Sequence, residues 1–334
     1  MRAFVITGPG RSEVVDVEPP QAGHGEVVVD VERAGVCGTD MEILRGDMAY
    51  TASGDAAYPM RIGHEWSGTV SAVGEGVDPS WLGRRVTGDT MLGCGHCVRC
   101  VNGRQHLCVD RYEIGIRRGW PGALAEQLPV PAKALFALPD EVDPTLGAMV
   151  EPGGNALRAV RAAEPAPGKT VLVMGPGTIG LLAAMFARYK GADVHVLGVT
   201  PESLKFARDL GFDNAWTRDE LPATPYDAII DASNARELPA FALDRVEPGG
   251  RVVCIGISGE PSFVDTRQAV LKDVSLVGIL SASGGLGETI EAYASGSVDP
   301  RPLVAGVVGL DQAADVLAGR LRGTAPKFHI DPRG

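Results

Sequence analysis

Four cysteines lie close together in the segment CGHCVRCVNGRQHLC, which spans residues 94–108 of this 334-residue chain. Their spacing is C-x2-C-x2-C-x7-C. Four thiolates can surround one tetrahedral zinc ion at about 2.3 Å, and such a closed shell leaves no position for a substrate. The spacing therefore predicts a structural zinc site, with an iron–sulfur cluster as the alternative because similar spacings occur there. The predicted ligands are Cys94, Cys97, Cys100 and Cys108, and His96 and His106 are expected at the surface.

A glycine pattern in VLVMGPGTIGLLAAMFARYKG, residues 171–191, predicts a second kind of site. Its glycines fit G-x-G-x-x-G between an apolar run and a helical pattern. In that context the glycines allow a tight turn, a close approach to a pyrophosphate and close packing of helix on strand. The helix N-terminus then faces the phosphates. The dinucleotide-binding residues expected here are Gly175, Gly177, Thr178, Ile179 and Gly180.

The end of the next predicted strand bears on the choice between NAD and NADP. Enzymes that use NAD carry an acidic residue there, which binds the ribose 2′-hydroxyl. The matching residue in this chain is Gly198, and Thr200, Ser203 and Lys205 follow as possible donors to a 2′-phosphate. Because the acid is missing, we predict that NADP is preferred over NAD. Arg218 is either a further phosphate ligand or a solvated surface charge.

The elements that must position these residues change in character along the chain. Strand and turn signals dominate up to Pro139, whereas strands and helices alternate after it. This alternation predicts an α/β fold with a doubly wound parallel sheet, the Rossmann type, beside a β-rich domain. The expected divisions are a first domain at 1–140 with a zinc lobe at 90–112, a dinucleotide-binding domain at 141–281, and a tail at 282–334 that returns to complete the first domain.

Composition excludes several classes of function. The net charge is −11 and no basic stretch stands out, which argues against a nucleic-acid partner. The apolar stretch at 171–191 is broken by Gly-Pro-Gly and falls short of the roughly 20 apolar residues that a membrane span needs. The segment MRAFVITGPG lacks the apolar core of a signal peptide, so we expect a cytoplasmic protein.

The order of motifs resembles one family over essentially the whole chain. Cys-Gly-Thr-Asp at 37–40, Gly-His-Glu at 63–65, the cysteine cluster and then a nucleotide fold resemble the zinc-containing medium-chain alcohol and polyol dehydrogenases. CGTDMEI and GRQHLC look like the glucose dehydrogenase branch, and GHEWSGTV with FHIDP looks like dehydrogenases of cyclitols and aminocyclitols. The resemblance implies a GroES-like catalytic domain and a homodimer or homotetramer.

The resemblance also implies a catalytic zinc ion held by Cys37 and His64. A thiolate and an imidazole on glycine-flanked turns can reach one ion and leave a position open for a substrate oxygen. Polyol dehydrogenases place a glutamate where this chain has Glu151, so Glu151 is the expected third ligand, with a helix-start glutamate near the dipole as the alternative. Glu65 is either an exchangeable fourth ligand or a hydrogen-bond acceptor behind the ligands, and Asp40 is expected to orient a ligand.

Proton transfer is the next role that the resemblance implies. In the family, the hydroxyl matching Thr39 binds the substrate oxygen and passes its proton outward; a turn-capping role is the alternative. Many relatives carry a histidine at the position of Glu42, where this relay reaches solvent. The glutamate here indicates that a carboxylate accepts the proton or binds a substrate hydroxyl.

Two short segments after later strands are expected, by resemblance, to hold the nicotinamide carboxamide through their backbone. They are Ile255, Gly256 and Ile257, and Ile279, Leu280 and Ser281. Their side chains fit an ordinary strand core equally well. No role is predicted for His195 or His329.

These residues together predict a zinc-dependent NAD(P) oxidoreductase that interconverts a secondary alcohol of a polyol, sugar or (amino)cyclitol and its ketone. The polar content of the expected loop at 46–60 favours a hydroxylated substrate. A cinnamyl-type alcohol or aldehyde dehydrogenase of the same fold is one alternative. A non-catalytic nucleotide sensor is the other, although the retained ligand residues argue against it.

Overall fold

The computed structural model describes residues 1–321 and 323–334 and contains two compact units. Strand β11 (Thr170–Met174) lies inside the parallel sheet of one of these units. This unit comprises residues 152–285. Four successive residues of β11 are fully buried, as expected of an inner strand covered on both faces. The remaining elements of the unit are β12 (Asp193–Leu197), β13 (Ala215–Trp216), β14 (Tyr226–Asp231), β15 (Val246–Cys254), β16 (Ser275–Gly278), α6 (Thr178–Tyr189), α7 (Pro201–Asp209), α8 (Leu238–Arg245) and α9 (Thr266–Leu271).

The strand order β13-β12-β11-β14-β15-β16, with every pair parallel, is that of a doubly wound dinucleotide-binding sheet. The predicted fold class is confirmed. The apolar pattern of the sequence predicts strands at 251–257 and 275–280, and both predictions extend too far, because β15 ends at Cys254 and β16 at Gly278. The chain leaves the sheet after β15, where the N–H groups of Ile255 and Gly256 both donate to the carbonyl of Asp231.

The other unit comprises residues 1–151 and 286–334. Its elements in chain order are β1 (Arg2–Gly8), β2 (Arg11–Asp16), β3 (Glu26–Gly35), α1 (Gly38–Arg45), α2 (Ala49–Ser53), β4 (Met60–Arg61), β5 (Glu65–Val73), β6 (Arg85–Gly88), β7 (Met91–Leu92), α3 (Val98–Val101), β8 (Tyr112–Glu113), β9 (Gln127–Pro131), β10 (Leu135–Ala137), α4 (Pro144–Ala148), α5 (Val150–Ala163), α10 (Leu286–Ala294), β17 (Val304–Gly309), α11 (Ala313–Leu317) and β18 (Lys327–Asp331). Helix α5 starts here and continues into the dinucleotide-binding unit.

The main sheet of this unit has the order β10-β6-β5-β3-β18-β17, and β9 also pairs with β3. The last strand, β18, runs antiparallel to β3, so that residues near the C-terminus lie beside the chain that leads to Cys37. Trp66, Phe4 and Ile43 are among the large side chains of the core beneath these strands. Within the described residues, no helix is long and apolar enough to cross a membrane.

Two details of this unit differ from expectation. The predicted loop at 46–60 contains helix α2, because Tyr50 and Tyr58 pack against the core and fix the segment. His106 is buried rather than exposed, because the turn Gln105–Leu107 that carries it packs against β7. His96 is exposed as expected.

Candidate active site

Asp40 connects the two turns that carry the predicted metal ligands. Cys37 directly precedes α1, and its backbone N–H donates to Asp40 Oδ2 at 2.9 Å. The other carboxylate oxygen, Oδ1, accepts a hydrogen bond from the N–H of Gly63 at 3.3 Å. Asp40 is fully buried, so both contacts form where water does not compete. The carboxylate therefore fixes the Cys37 turn relative to the His64 turn.

Glycine is required at position 63, which precedes the predicted ligand His64. Its φ is +101°, and a Cβ there would lie 2.7 Å from the backbone nitrogen of Leu124. The resulting turn points His64 and Glu65 toward Cys37, and the potential ligand atoms of these three residues all lie within 4.8 Å of one another. A thiolate, an imidazole and a carboxylate at such distances fit one zinc ion.

The electrostatic environment of His64 favours a cation. Burial opposes a positive charge on the ring, but the Asp40 carboxylate and Cys37 outweigh it and raise the pKa of His64 well above its usual value. Asp40 Oδ1 lies 3.6 Å from Nδ1 of the ring. The Asp40 carboxylate thus lies beside the imidazole, where it can orient the ring of a ligating histidine.

Glu65 has a cationic neighbour that the sequence did not predict. The ammonium group of Lys327, on β18, donates to Glu65 Oε1 at 2.7 Å and to Oε2 at 2.6 Å. A third hydrogen bond of 2.9 Å goes to the carbonyl of Val36. Both charged side chains are almost completely buried, at 3% and 1% exposure. Glu65 is therefore an ion-pair partner as well as a possible ligand.

The other predicted residues of this region lie on α1 and α5. Thr39 and Glu42 are three residues apart on α1 and so share one face of the helix. Burial raises the pKa of the half-buried Glu42 carboxyl. Glu151 is buried in the first turn of α5. In the described part of the chain, the compact ligand group contains Cys37, His64 and Glu65 but not Glu151.

The four clustered cysteines form a second group of potential metal ligands. All four Sγ atoms lie within 4.8 Å of one another, and those of Cys94 and Cys100 are 3.9 Å apart. Sulfur atoms bound to one tetrahedral zinc ion at about 2.3 Å would lie at a similar spacing. The backbone N–H groups of His96 and Cys97 lower the pKa of Cys94 and so favour its thiolate form. The geometry fits a closed metal site.

The glycine-rich turn of the other unit has the geometry of a pyrophosphate-binding loop. Gly175 follows β11 with φ +91°, and Gly177 caps α6 with open space beside it. A Cβ on Gly180 would lie 1.9 Å from the carbonyl oxygen of Gly175. Thr178 and Ile179 begin α6, so their N–H groups are free of helical partners. The turn can accept a pyrophosphate on the helix N-terminus.

Gly198 directly follows β12 at the carboxyl edge of the sheet, as predicted. A Cβ there would lie 2.9 Å from side-chain atoms of both Leu204 and Pro176, so the position has little room for any side chain. Thr200 caps α7 by accepting from the N–H of Ser203 at 3.1 Å. Lys205 forms an exposed ion pair of 2.6 Å with Asp209.

The two predicted nicotinamide segments follow the neighbouring strands β15 and β16. Because these strands are parallel, both segments lie at the same edge of the sheet as the glycine-rich turn. Ser281 has φ +66°, and Arg158 of α5 donates from Nη1 to the carbonyls of Leu280 and Ser281. Ile257 is 75% exposed, which excludes it from the sheet core.

Lys327 and Arg158 contact predicted site residues, and sequence reasoning missed both of them. Lys327 begins KFHID, in which a cation stands at the start of a buried strand and is itself buried. The sequence shows only a lysine before an apolar run, and its burial becomes visible only in the structure. Arg158 lies in an ordinary helical pattern and likewise gives no signal.

Comparisons with known proteins agree with both units. Residues 23–140 match the family described as alcohol dehydrogenase GroES-like domain, and residues 178–295 match zinc-binding dehydrogenase. An L-threonine 3-dehydrogenase from Deinococcus deserti is 32% identical, with 95% of each chain covered. The starvation-sensing protein RspB of Escherichia coli K12 is 30% identical, with 95% of each chain covered.

Solved structures show the same fold from end to end. The alcohol dehydrogenase RspB of Escherichia coli CFT073, complexed with NADH, superposes with a TM-score of 0.91 at 28% identity and 99% coverage of each chain. A protein from Sinorhizobium meliloti 1021 bound to NADP gives a TM-score of 0.90 at 27% identity, again with 99% coverage of each. The chain belongs to the zinc-containing medium-chain dehydrogenase family. It is therefore an oxidoreductase of the zinc-dependent dehydrogenases.

Proposed function

We propose that this protein is a zinc- and NAD(P)-dependent dehydrogenase that interconverts a secondary alcohol of a polyol, sugar or (amino)cyclitol and the corresponding ketone. The observation that carries the proposal is the convergence of Cys37 and His64, whose two turns are held together by buried Asp40. Such a site has two good zinc ligands and a preformed scaffold. The CGTDMEI and GHEWSGTV motifs favour the glucose and cyclitol dehydrogenase branches.

The metal assignment has two parts. We assign Cys37, His64 and Glu151 as the protein ligands of a catalytic zinc ion, with Glu151 taken from the polyol dehydrogenase pattern. The four clustered cysteines would hold a structural zinc ion, because four thiolates complete a tetrahedral shell. A catalytic zinc ion supplies a Lewis acid that polarises the substrate oxygen and lowers the pKa of its hydroxyl.

Proton transfer is assigned to α1. The Thr39 hydroxyl accepts the proton of the substrate hydroxyl and passes its own proton on. Glu42, three residues further along the helix, receives it; burial raises the pKa of this carboxyl and makes it a better proton acceptor. The nicotinamide of the bound cofactor supplies the hydride chemistry.

The cofactor is proposed to be NADP rather than NAD. Gly198 leaves no carboxylate to repel a 2′-phosphate or to bind a free 2′-hydroxyl, and a larger side chain there would collide with Leu204 and Pro176. Thr200 and Ser203 present hydroxyl groups beside it. Lys205 is free to turn toward a phosphate, because its exposed ion pair with Asp209 is worth at most about 1 kcal/mol.

A second candidate substrate is L-threonine. Relatives that are 29–34% identical to this chain are named L-threonine 3-dehydrogenases. Threonine carries a secondary hydroxyl group, so the same metal ligands and the same proton path would serve its oxidation. The two candidates differ in substrate recognition, because threonine adds an ammonium and a carboxylate group.

The substrate is tested with a panel of polyols, aldoses, aminocyclitols and L-threonine, with NADP and NAD in parallel and reduced nicotinamide followed by absorbance. We expect turnover of a hydroxylated substrate with the higher kcat/KM for NADP. Turnover of threonine alone would replace the polyol proposal by the second candidate. Turnover of aromatic alcohols alone would contradict both.

The metal assignment is tested with Cys37→Ser. We expect the loss of one zinc ion per chain and a fall in kcat/KM of more than about a hundredfold, because metal polarisation of the oxygen contributes several kcal/mol to transition-state stabilisation. Cys254→Ser, which changes the half-buried cysteine at the end of β15, is the matched control and should retain both metal and activity. Full activity in a Cys37→Ser protein lacking one zinc would refute the assignment.

We also propose that the protein forms a homodimer, and that two copies meet at the β16 edge of the parallel sheet. The strand order ends at β16, and within the described residues no strand pairs with its outer side. Leu276 on this strand, together with Val270 and Leu271 on α9, is exposed. An unpaired strand edge flanked by apolar side chains is self-complementary about a two-fold axis. The chemistry of this edge therefore favours a homodimer.

A further inference from the structure

The register of the sheet places Lys327, near the end of the chain, beside the candidate metal site. His329 pairs with Gly35 in the antiparallel ladder of β18 and β3, so Lys327, two residues earlier, lies next to the segment that follows β3. Its ammonium group has three N–H donors. One is directed at Val36, next to the ligand Cys37, and the others at the two oxygens of Glu65, next to the ligand His64.

Resting on the proposed function, we propose that Lys327 is a positioning residue that keeps Glu65 out of the coordination shell of the metal. The Glu65 carboxylate is close enough to compete for an ion, because its oxygen lies within 4.8 Å of the ligand atoms of Cys37 and His64. Both of its oxygens are nevertheless engaged by one buried ammonium group. Glu65 can bind the ion only by giving up part of this contact.

The loss of that contact is opposed because both side chains are almost completely buried. At 3% and 1% exposure, neither charge can exchange its partner for solvent. Breaking a buried ion pair leaves an uncompensated charge, which is strongly destabilising. The ion pair with Lys327 therefore favours the state in which Glu65 is a counterion and the metal takes its third ligand elsewhere.

Charge balance gives Lys327 a functional consequence. A divalent ion bound to one thiolate, one imidazole and one carboxylate is neutral overall, whereas a second bound carboxylate would make the site anionic. A set of ligands with net negative charge reduces the ability of the metal ion to polarise a substrate oxygen. By neutralising Glu65, Lys327 keeps one coordination position open and preserves the Lewis acidity of the site.

The test measures Co²⁺ affinity of the full-length protein after the candidate catalytic site has been emptied with a chelator. The readout is the thiolate-to-cobalt absorbance, which does not depend on turnover. Glu151→Gln should weaken Co²⁺ binding, and Lys327→Met in that background should restore it by about tenfold or more, since released Glu65 becomes the replacement ligand. Lys327→Arg, which keeps the positive charge, is the matched control and should not restore binding.

Removing Glu65 from the variant with restored binding provides a second check. In the Glu151→Gln/Lys327→Met background, adding Glu65→Gln should weaken Co²⁺ binding by about tenfold or more, since Glu65 is then the replacement ligand and no unpaired lysine is left behind. The proposal is overturned if this further change leaves the restored binding intact, or if Lys327→Met and Lys327→Arg behave alike in the Glu151→Gln background. Failure of the proposed function would instead appear as no turnover of any panel substrate by a wild-type protein that binds Co²⁺ normally.

Discussion

At the scale of single residues, His329 on β18 is the most unusual buried group outside the candidate ligand set. It is fully buried, and neither ring nitrogen has a hydrogen-bond partner within the described part of the chain. Desolvation, together with the positive charges of Lys327 and Arg33, lowers the pKa of His329 to about 3. The imidazole is therefore neutral in the folded protein near neutral pH.

The position of His329 predicts a specific pH dependence of stability. In the unfolded chain its pKa returns to 6.5, so between pH 6.5 and about 3 the unfolded state binds a proton that the folded state excludes. The stability linked to neutral His329 is complete above pH 6.5 and is lost as the pH falls, by about 1.4 kcal/mol per pH unit. His329→Leu should remove this loss, so that its unfolding free energy falls less steeply than wild type between about pH 6.5 and 4.5.

Urea denaturation at a series of pH values measures the effect. The exposed His24→Leu is the matched control and should keep the wild-type slope. At pH 7 or above, His329→Leu should be as stable as wild type or more so, because an apolar side chain replaces two unsatisfied polar atoms. Equal slopes for wild type and His329→Leu would show that the ring is protonated or hydrated in the folded state.

Sequence reasoning identified sites whose residues are close together in the chain, and it missed a contact between residues that are far apart in the chain. The cysteine cluster and the glycine-rich turn are contiguous, so ligand spacing and turn chemistry alone predict them. The contact between Glu65 and Lys327 joins residues 262 positions apart. No local pattern encodes such a contact, because it depends on the register between β18 and β3.

At the scale of elements, the segment that follows the cysteine cluster fixes helix α2. The Tyr50 hydroxyl donates to Glu113 Oε1 at 3.1 Å and accepts from Arg111 at 3.1 Å. Arg117 lies over the Tyr50 ring and pairs with Asp55 at 2.9 Å. The network holds α2 and the residues after it against β8, where buried Glu113 is the shared acceptor.

Removing the hydroxyl group of Tyr50 should loosen this segment. Tyr50→Phe keeps the ring under Arg117 but deprives the buried Glu113 carboxylate of a donor. We expect a loss of about 1.5–3 kcal/mol in unfolding free energy, the usual range for a hydrogen bond to a charged group. Tyr189→Phe, on the exposed surface of α6, is the matched control and should be neutral.

If α2 borders the substrate, Tyr50→Phe should also raise KM with little change in kcat. Limited proteolysis of the segment and steady-state kinetics measure the two effects separately. Wild-type stability in Tyr50→Phe would show that Glu113 is satisfied by Arg111 alone.

Element types were easier to predict than element ends. The alternation of apolar runs and helical patterns gave the parallel sheet, since buried strands and amphipathic helices have different periods. The end of β15 was predicted too late, because Ile255–Ile257 continues the apolar run after the backbone has turned to bond Asp231. Helix α2 was missed because it has only five residues, too few to show a helical period, and its stability comes from distant contacts such as that of Tyr50 with Glu113.

At the scale of the whole molecule, two of the sheet-edge strands, β16 and β17, offer a comparison. β16 ends the parallel sheet of the dinucleotide-binding unit, and β17 ends the main sheet of the other unit. Both carry an exposed apolar side chain, Leu276 at 48% and Val307 at 43%. Within the described residues, only the first of these two edges is accompanied by highly exposed apolar residues on the preceding helix, Val270 and Leu271 of α9. The β16 edge is therefore the stronger candidate for pairing with a second copy.

We expect wild-type protein to sediment at twice the chain mass of 34.9 kDa, and Leu276→Lys to sediment as a monomer at micromolar concentration. In a two-fold arrangement the new lysine lies near its own copy, and like charges at a strand edge oppose pairing. Val307→Lys adds the same charge at the other edge and should remain dimeric. A monomeric wild type, or equal dissociation of both variants, would exclude the β16 edge. Because each protomer would keep its own candidate metal ligands and glycine-rich turn, the monomeric variant should still bind cofactor and one catalytic metal ion.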